Sequence, residues 1–268
     1  MELIERIERA ETELVWSFGD ISGPGPALLG LTRRRFGSVV ALAAPRDTLS
    51  FWSQAIGFGL DRPVTSAVIG EVLDHLEAAG CTTAALSIMP GALPPDWDAI
   101  ATSYGITAGQ TTVQVARTAG PVEQAPSDFR IAPIGPQHAE AWAQLQVDAY
   151  GMPDAGFRAM LAAYPDWPGT TAYAAWDGDT MVATGSLHIV NGVGRLRSGA
   201  THPAYRGRGA QSALLTRRTA DAFAQGCDLV TTGSYKPAPG QHNPSLANML
   251  RLGFEPLAER TPQIWRLS

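Results

Sequence analysis

The chain has 268 residues, of which 45% are hydrophobic and 17% charged, and a formal net charge of −5. This describes a soluble globular protein, long enough for one large domain or two small ones, and its acidic balance argues against general nucleic-acid binding while mildly favouring a cationic or amine-bearing substrate. Cys81 and Cys227 are too few for a disulfide framework, the five histidines lack metal-ligand spacing, and neither a signal peptide nor an 18-residue apolar run is found, so a cytoplasmic protein without metal or membrane span is expected.

Residues 1–18 read as an amphipathic helix, with Leu3, Ile4, Ile7, Leu14 and Val15 apolar between glutamates. A Gly/Pro-rich loop covers 21–31, a buried strand is expected over 36–44, and another strand within 50–60. Thr65 or Ser66 can cap a helix running to Ala79, with Val68, Ile69, Val72, Leu73 and Leu76 on one face. Then come Gly80-Cys81, a strand over 84–89, a Pro/Gly segment, a helix over 97–104, and a closing strand that ends at Ala116-Arg117. The segment 118–128 is polar and Pro-containing, a natural linker.

Beyond the linker the pattern predicts a strand over 129–134, helices over 138–150 and 157–164, and a hairpin (171–176 with 181–190) around Asp177-Gly178-Asp179. A strand over 195–201, a glycine-rich loop and a helix ending at Gly226 come next. The first half's closing order then recurs: Gly226-Cys227, a strand over 229–232, a Pro/Gly segment, a helix over 245–252, Gly253-Phe254 and a last strand ending at Trp265-Arg266. The offset grows from 146 to 149 residues, as small insertions in a duplicated unit would produce. Cys81 and Cys227 head equivalent strands, which makes them small buried hydrophobes.

The stretch 195–226 is the chemical centre. A strand that feeds a glycine-rich loop opening a helix is a ready anion site, because the first helical N–H groups lack intrahelical partners and the dipole adds positive charge. Gly207 and Gly209 let the backbone approach a phosphate, and Arg206 and Arg208 add fork-shaped charge. Arg195, Arg197, Arg217 and Arg218 enrich the same region in cations. Neither G-x-x-x-x-G-K-[ST] nor G-x-G-x-x-G is present. The run Thr201-His202-Pro203, then Arg206-Gly207-Arg208-Gly209-Ala210-Gln211, resembles the acyl-coenzyme A signature of the GNAT N-acetyltransferases, R/Q-x-x-G-x-G/A after a strand ending in V-x-P. It departs at Thr201 and Gln211, neither of which removes a backbone donor.

The resemblance covers 129–268 and implies an α/β (α+β) chain of two GNAT-like domains. Each would be a mixed, mostly antiparallel sheet flanked by helices: a degenerate domain over 1–120 and a catalytic one over 128–268. The first half carries Asp61-Arg62-Pro63-Val64-Thr65 at the loop position, without paired glycines, and should not bind coenzyme A. Acetyl-CoA is the implied co-substrate and a small-molecule primary amine the implied acceptor, with a homodimer left open. The implied cofactor-binding residues are Ala200, Thr201, Arg206, Gly207, Arg208, Gly209, Ala210, Gln211 and Ser212, with Ser245 and Asn248 along the pantetheine arm. Ala200 or Thr201 would offer the backbone donor for the thioester oxygen. The tyrosine that family members place four residues before the last Gly-Phe is Met249 here, which leaves Tyr235 as candidate acid, or solvent itself. No carboxylate lies on 195–201, so His188 is the candidate base. Asp148, Tyr150 and Asp166 fall where the family shapes its acceptor site. An acetyl-CoA-binding sensor without catalysis is the competing implication. Gly209→Asp is expected to abolish coenzyme A binding and spare the fold.

Overall fold

The computed structural model describes residues 2–153 and 156–267. The first half runs α1 (Glu2–Ser17), α2 (Gly25–Leu29), β1 (Thr32–Phe36), β2 (Val39–Ala43), β3 (Gln54–Phe58), α3 (Ser66–Ala78), β4 (Thr83–Ile88), α4 (Trp97–Ser103), β5 (Ile106–Ala108) and β6 (Thr112–Thr118). The second half runs β7 (Arg130–Pro133), α5 (Ala139–Tyr150), α6 (Phe157–Ala162), β8 (Thr170–Asp177), β9 (Thr180–Val190), β10 (Val193–Thr201), α7 (Ala210–Ala224), β11 (Leu229–Tyr235), α8 (Pro244–Arg251), β12 (Glu255–Arg260) and β13 (Gln263–Arg266).

Residues 36–44 are not one strand. Phe36 pairs with Val39 at the end of the β1–β2 hairpin, and Gly37 takes φ 65° in the two-residue turn. The arginine-rich β1 offered no apolar run to read. It is the outer strand of its sheet, and exposed charge there discourages edge-to-edge pairing. In α3 the expected stripe is buried: Val68, Ile69, Val72, Leu73 and Leu76 join Val39, Ala41, Phe58 and Leu86 in one core, at about 1.5–3 kcal/mol for each large aliphatic chain removed from water. Thr65 caps this helix by accepting from Val68 N–H.

The two sheets are ordered β1-β2-β3-β4-β13-β5 and β12-β6-β11-β10-β9-β8-β7. The closing strands are therefore exchanged. β13, from the end of the chain, inserts between β4 and β5, with Trp265 opposite Ala84 and Ile106. β6, from the first half, lies between β11 and β12. The compact units are accordingly 1–19, 26–113 and 257–268 for one, and 20–25 and 114–256 for the other. This differs from contiguous domains over 1–120 and 128–268. Equivalent strands of a repeat satisfy equivalent edges, so hydrophobic pattern cannot say which copy a closing strand joins.

The exchanged segment is fastened in the first unit by charge. Arg260 is paired with Glu8, which is 0% exposed, and donates to Glu11 at 2.6 Å. Local bonds repeat between the halves as well. Cys81 N–H bonds to Leu76 O and Cys227 N–H to Ala222 O, each at the foot of a helix and the head of a strand. Both cysteines are buried.

Candidate functional site

The second sheet opens where β10 and β11 part. Their parallel register joins Val193, Gly194 and Arg195 to Leu229, Val230 and Thr231, and ends there. β10 continues to Thr201 and β11 to Tyr235. In the first unit the corresponding strands β3 and β4 stay paired from Gln54–Ala85 to Phe58–Ile88, across one bulge, and Met89 N–H adds a further bond to Phe58 O. One unit has a cleft between these strands, and the other has a closed seam.

Both strands carry a β-bulge, and its placement separates the two outcomes. In β3 the bulge residue is Gly57, at φ 95°, and the register shift is taken up against β4. In β10 it is Ser198, at φ 55°, and the shift between Arg197 and Ala200 is taken up against β9. Pairing with β9 resumes past the bulge while β11 is released.

The bulge fixes which amides face the opening. Ser198 O accepts from Thr184 Oγ1 of β9 at 3.1 Å. The trans peptide then turns Gly199 N–H the other way, toward the side that β11 has left. Gly199 O accepts from Tyr150 Oη at 2.6 Å. Further on, His202 N–H bonds to Val182 O, so by ladder alternation Ala200 N–H faces β9 and Thr201 N–H faces the opening. Of the two residues expected to offer a donor, Thr201 has its N–H toward the opening and Ala200 has its N–H toward β9; Gly199 N–H, outside the sequence expectation, also faces the opening. A one-residue bulge reverses which amides face out, and sequence gives no register.

The loop after β10 is a 3-10 turn, Pro203–Tyr205, followed by Arg206 and the two glycines. Gly207 takes φ 77°, and a Cβ added there would have nothing within 4 Å. Gly209 takes φ 83° as N-cap of α7, and a Cβ there would lie 2.9 Å from Pro126 O. No side chain caps α7, so the amides around Ala210, Gln211 and Ser212 are presented without a protein acceptor of that kind, unlike the Thr65-capped α3. Arg206 is exposed and its Nε bonds to Thr201 O at 3.3 Å. Arg208 reaches Asp177 at 3.3 Å and lies 4.6 Å above the Phe129 ring. The other arginines do different work: Arg217 pairs with Asp221, Arg195 donates to Thr231, and Arg218 is buried beneath the sheet.

Gln211, Ser245 and Asn248 form one network. Gln211 Nε2 donates to Ser245 Oγ at 2.7 Å, and Asn248 Nδ2 donates to Gln211 Oε1 at 2.8 Å. Arg251 extends it to Ser212 and Asn248. The departure at Gln211 is thus compensated by α8. Asn243, which sequence reasoning overlooked, caps α8 through Ser245 and Leu246 N–H and donates to Ser234 Oγ and Tyr235 O. Asn243-Pro244 was the available signal, an N-cap followed by proline at the first helical position.

Tyr235 stands at the end of β11, 58% exposed, beside the opening. Burial holds the Tyr150 phenol above the usual tyrosine range, with Arg218 opposing the shift and Tyr235 adding to it. Met249 is buried, as an apolar residue of α8. Asp148 is exposed and accepts from Gln144, and Asp166 is exposed. His202 is exposed, its Nδ1 accepting from Ala204 N–H.

His188 is placed differently from a base awaiting substrate. It is 4% exposed, its Nδ1 lies 2.6 Å from Thr170 Oγ1, and its ring lies 4.6 Å from that of Trp167. Burial, with Arg197 adding to it, depresses its pKa to about 4. The folded state therefore binds a proton more weakly than the unfolded chain, whose histidine titrates near 6.5. His188 thus adds stability that is intact above about pH 6.5 and declines as pH falls toward 4, by about 3 kcal/mol in total. Urea unfolding at pH 7 and at pH 4.5 should show this loss in the native protein and a smaller one in His188→Gln. An equal loss in both would exclude His188 as its origin.

Residues 139–254 match the family model described as Acetyltransferase (GNAT) family. The match lies within the C-terminal half of the chain, from the start of α5 to the residue before β12. A GCN5-related N-acetyltransferase from Kribbella flavida superposes with a TM-score of 0.67 at 20% identity, over 97% of this chain and 95% of the other. One from Sphaerobacter thermophilus gives 0.61 at 15%, over 97% and 91%. A tandem GNAT protein from the clavulanic acid biosynthesis pathway gives 0.58 at 15%, over 87% and 81%. These likenesses establish a tandem GNAT fold. Comparison with curated proteins returns no match. Among the described residues no helix is long and apolar enough to cross a membrane, and no cluster of three or more His, Cys, Asp or Glu could hold a metal ion.

Proposed function

We propose that the second unit transfers an acetyl group from acetyl-CoA to a primary amine of a small molecule. The parting of β10 and β11 beside an uncapped α7 is the observation that carries this reading. The diphosphate would lie on the amides of 207–212, with Arg206 and Arg208 at its rim. The pantetheine arm would run along Thr201, with the Gln211–Ser245–Asn248 network beside it. The residues fit such a ligand: both glycines are at positive φ, a side chain at Gly207 would stand in open space, and the first turn of α7 has amides to offer.

In the reaction the amine nitrogen attacks the thioester carbon, the carbonyl oxygen gains charge, and the C–S bond then breaks. The nitrogen loses a proton and the departing thiolate gains one. Gly199 N–H, turned to the opening, is placed to bond the charged oxygen. Tyr235, or Tyr150 at the same opening, can supply the proton to sulfur. His188 is not assigned as base, given its burial, and water serves to take the ammonium proton. The first unit has a structural role. Its loop over 59–64, beside a recess of about 470 Å³, has Asp61 paired with Arg9 and Arg62 with Glu71.

A second reading, an acetyl-CoA-binding sensor, is favoured by buried Met249 at the family's tyrosine position. Titration calorimetry with acetyl-CoA tests what the two share, and absence of binding below millimolar would discard both. Thiol release with a panel of amines then separates them: turnover with any amine supports the transferase, and binding without turnover the sensor.

A further inference from the structure

Arg218 is an unusual residue for the middle of a helix packed on a sheet. It is 2% exposed, and its bonds go to carbonyls: Nε to Leu214 O at 2.9 Å, and Nη1 to both Ser186 O and Arg197 O at 3.0 Å. Among the described residues no carboxylate pairs with it. Asp221, one turn along α7, is engaged by Arg217 and by Tyr173 Oη. The groups that act on its charge from neighbouring elements are Tyr173 of β8 and Tyr150 of α5. Taking a lone cation out of water costs several kcal/mol even after relaxation. Burial accordingly lowers the Arg218 pKa to about 10.

Its position is specific to the bulge. Ser186 and Arg197 are the last pair before the β9–β10 register shifts, and Thr184 with Ala200 is the first pair after it. Gly185 lies opposite the inserted residue, and a Cβ there would lie 2.6 Å from the guanidinium carbon. The planar cation thus covers the glycine directly across from Ser198 and Gly199. The bulge is held from three further directions, by Thr184 on Ser198 O, Tyr150 on Gly199 O, and Tyr164 on the Ser198 side chain.

We propose that Arg218 is a positioning residue for acyl transfer, holding the β10 bulge from beneath so that Gly199 N–H meets the thioester oxygen, and placing one backbone layer below it a positive charge that no described carboxylate pairs. This rests on acetyl-CoA occupying the β10–β11 opening as proposed above. With no carboxylate partner among the described residues, the cation's field is free to act on charge that develops in the cleft. An apolar residue at 218 would pack against the sheet at lower desolvation cost, and the ladder bonds would remain.

The test is the polarisation of the thioester, read from the ¹³C shift of acetyl-CoA labelled at its carbonyl and bound to the full-length protein, with calorimetric affinity for coenzyme A measured alongside. The native protein should bind acetyl-CoA and move the carbonyl resonance downfield of its free position. Arg218→Met should keep its affinity for coenzyme A within about threefold and lose most of the downfield shift, while Arg218→Lys should regain part of it. Thr184→Val, which removes the donor to Ser198 O, should lose the shift in the same way and decides the matter where Arg218→Met does not fold. A full native shift in Thr184→Val and in whichever Arg218 variants fold would overturn the proposal. A native protein that does not bind acetyl-CoA at all would instead overturn the assignment of the co-substrate, and this inference with it.

Discussion

Gly207→Asp should abolish acetyl-CoA binding and leave the protein folded. Gly207 sits at φ 77° with open space where a side chain would start. Aspartate is among the residues that tolerate this left-handed conformation, so the backbone strain is small. Its carboxylate would stand in the proposed diphosphate cradle. Two like charges about 5 Å apart, at an effective dielectric near 20, repel by roughly 3 kcal/mol, or at least a 100-fold loss of affinity. Calorimetry reads the affinity, and a thermal unfolding scan checks that the native transition survives. Unchanged affinity would move the site elsewhere. Gly209→Asp, the substitution that sequence alone recommends, is a poorer probe. Its first side-chain carbon would meet Pro126 O at 2.9 Å, so lost binding could reflect a shifted loop.

Arg260→Met should destabilise the first unit by about 3–5 kcal/mol. Arg260 is 9% exposed and serves two carboxylates, of which Glu8 has no exposure at all. Methionine fills much of the volume but leaves Glu8 charged, or forced to protonate, in an apolar setting. Adding Glu8→Gln to Arg260→Met should recover part of the loss, because it removes the stranded charge. Urea unfolding of the single and double variants gives both numbers. A cost below about 1 kcal/mol would mean that water reaches the cluster and screens it, as it does at surface pairs.

Much of the element order was readable because it rests on local periodicity. The α3 stripe, the Thr65 cap, the Asp177-Gly178-Asp179 hairpin and the loop of Arg206 to Gly209 are all encoded within a few residues of one another. The strand β1 was not, because Arg33, Arg34 and Arg35 lack the apolar signature of a core strand and need none at an outer position. The candidate site divides in the same way. The phosphate-binding stretch is contiguous and so was visible. The bulge at Ser198, the reversal of Ala200 and the grip of Tyr150, Thr184 and Arg218 depend on register between elements far apart in sequence. A histidine's free pKa suits a base, but the Trp167 and Thr170 that enclose His188 come from another segment.

The placement of β6 and β13 bears on how the chain can be divided. A cut within 118–128 would yield one fragment with a slot between β4 and β5 and another with a slot between β11 and β12, each holding the piece that fills the other's gap. Such fragments should be soundly folded only after they meet, as a second-order process that dilution reverses. The peptide tether turns that encounter into an intramolecular one, at an effective concentration in the millimolar range for a short flexible connection. Closure of both sheets then no longer depends on how much protein is present.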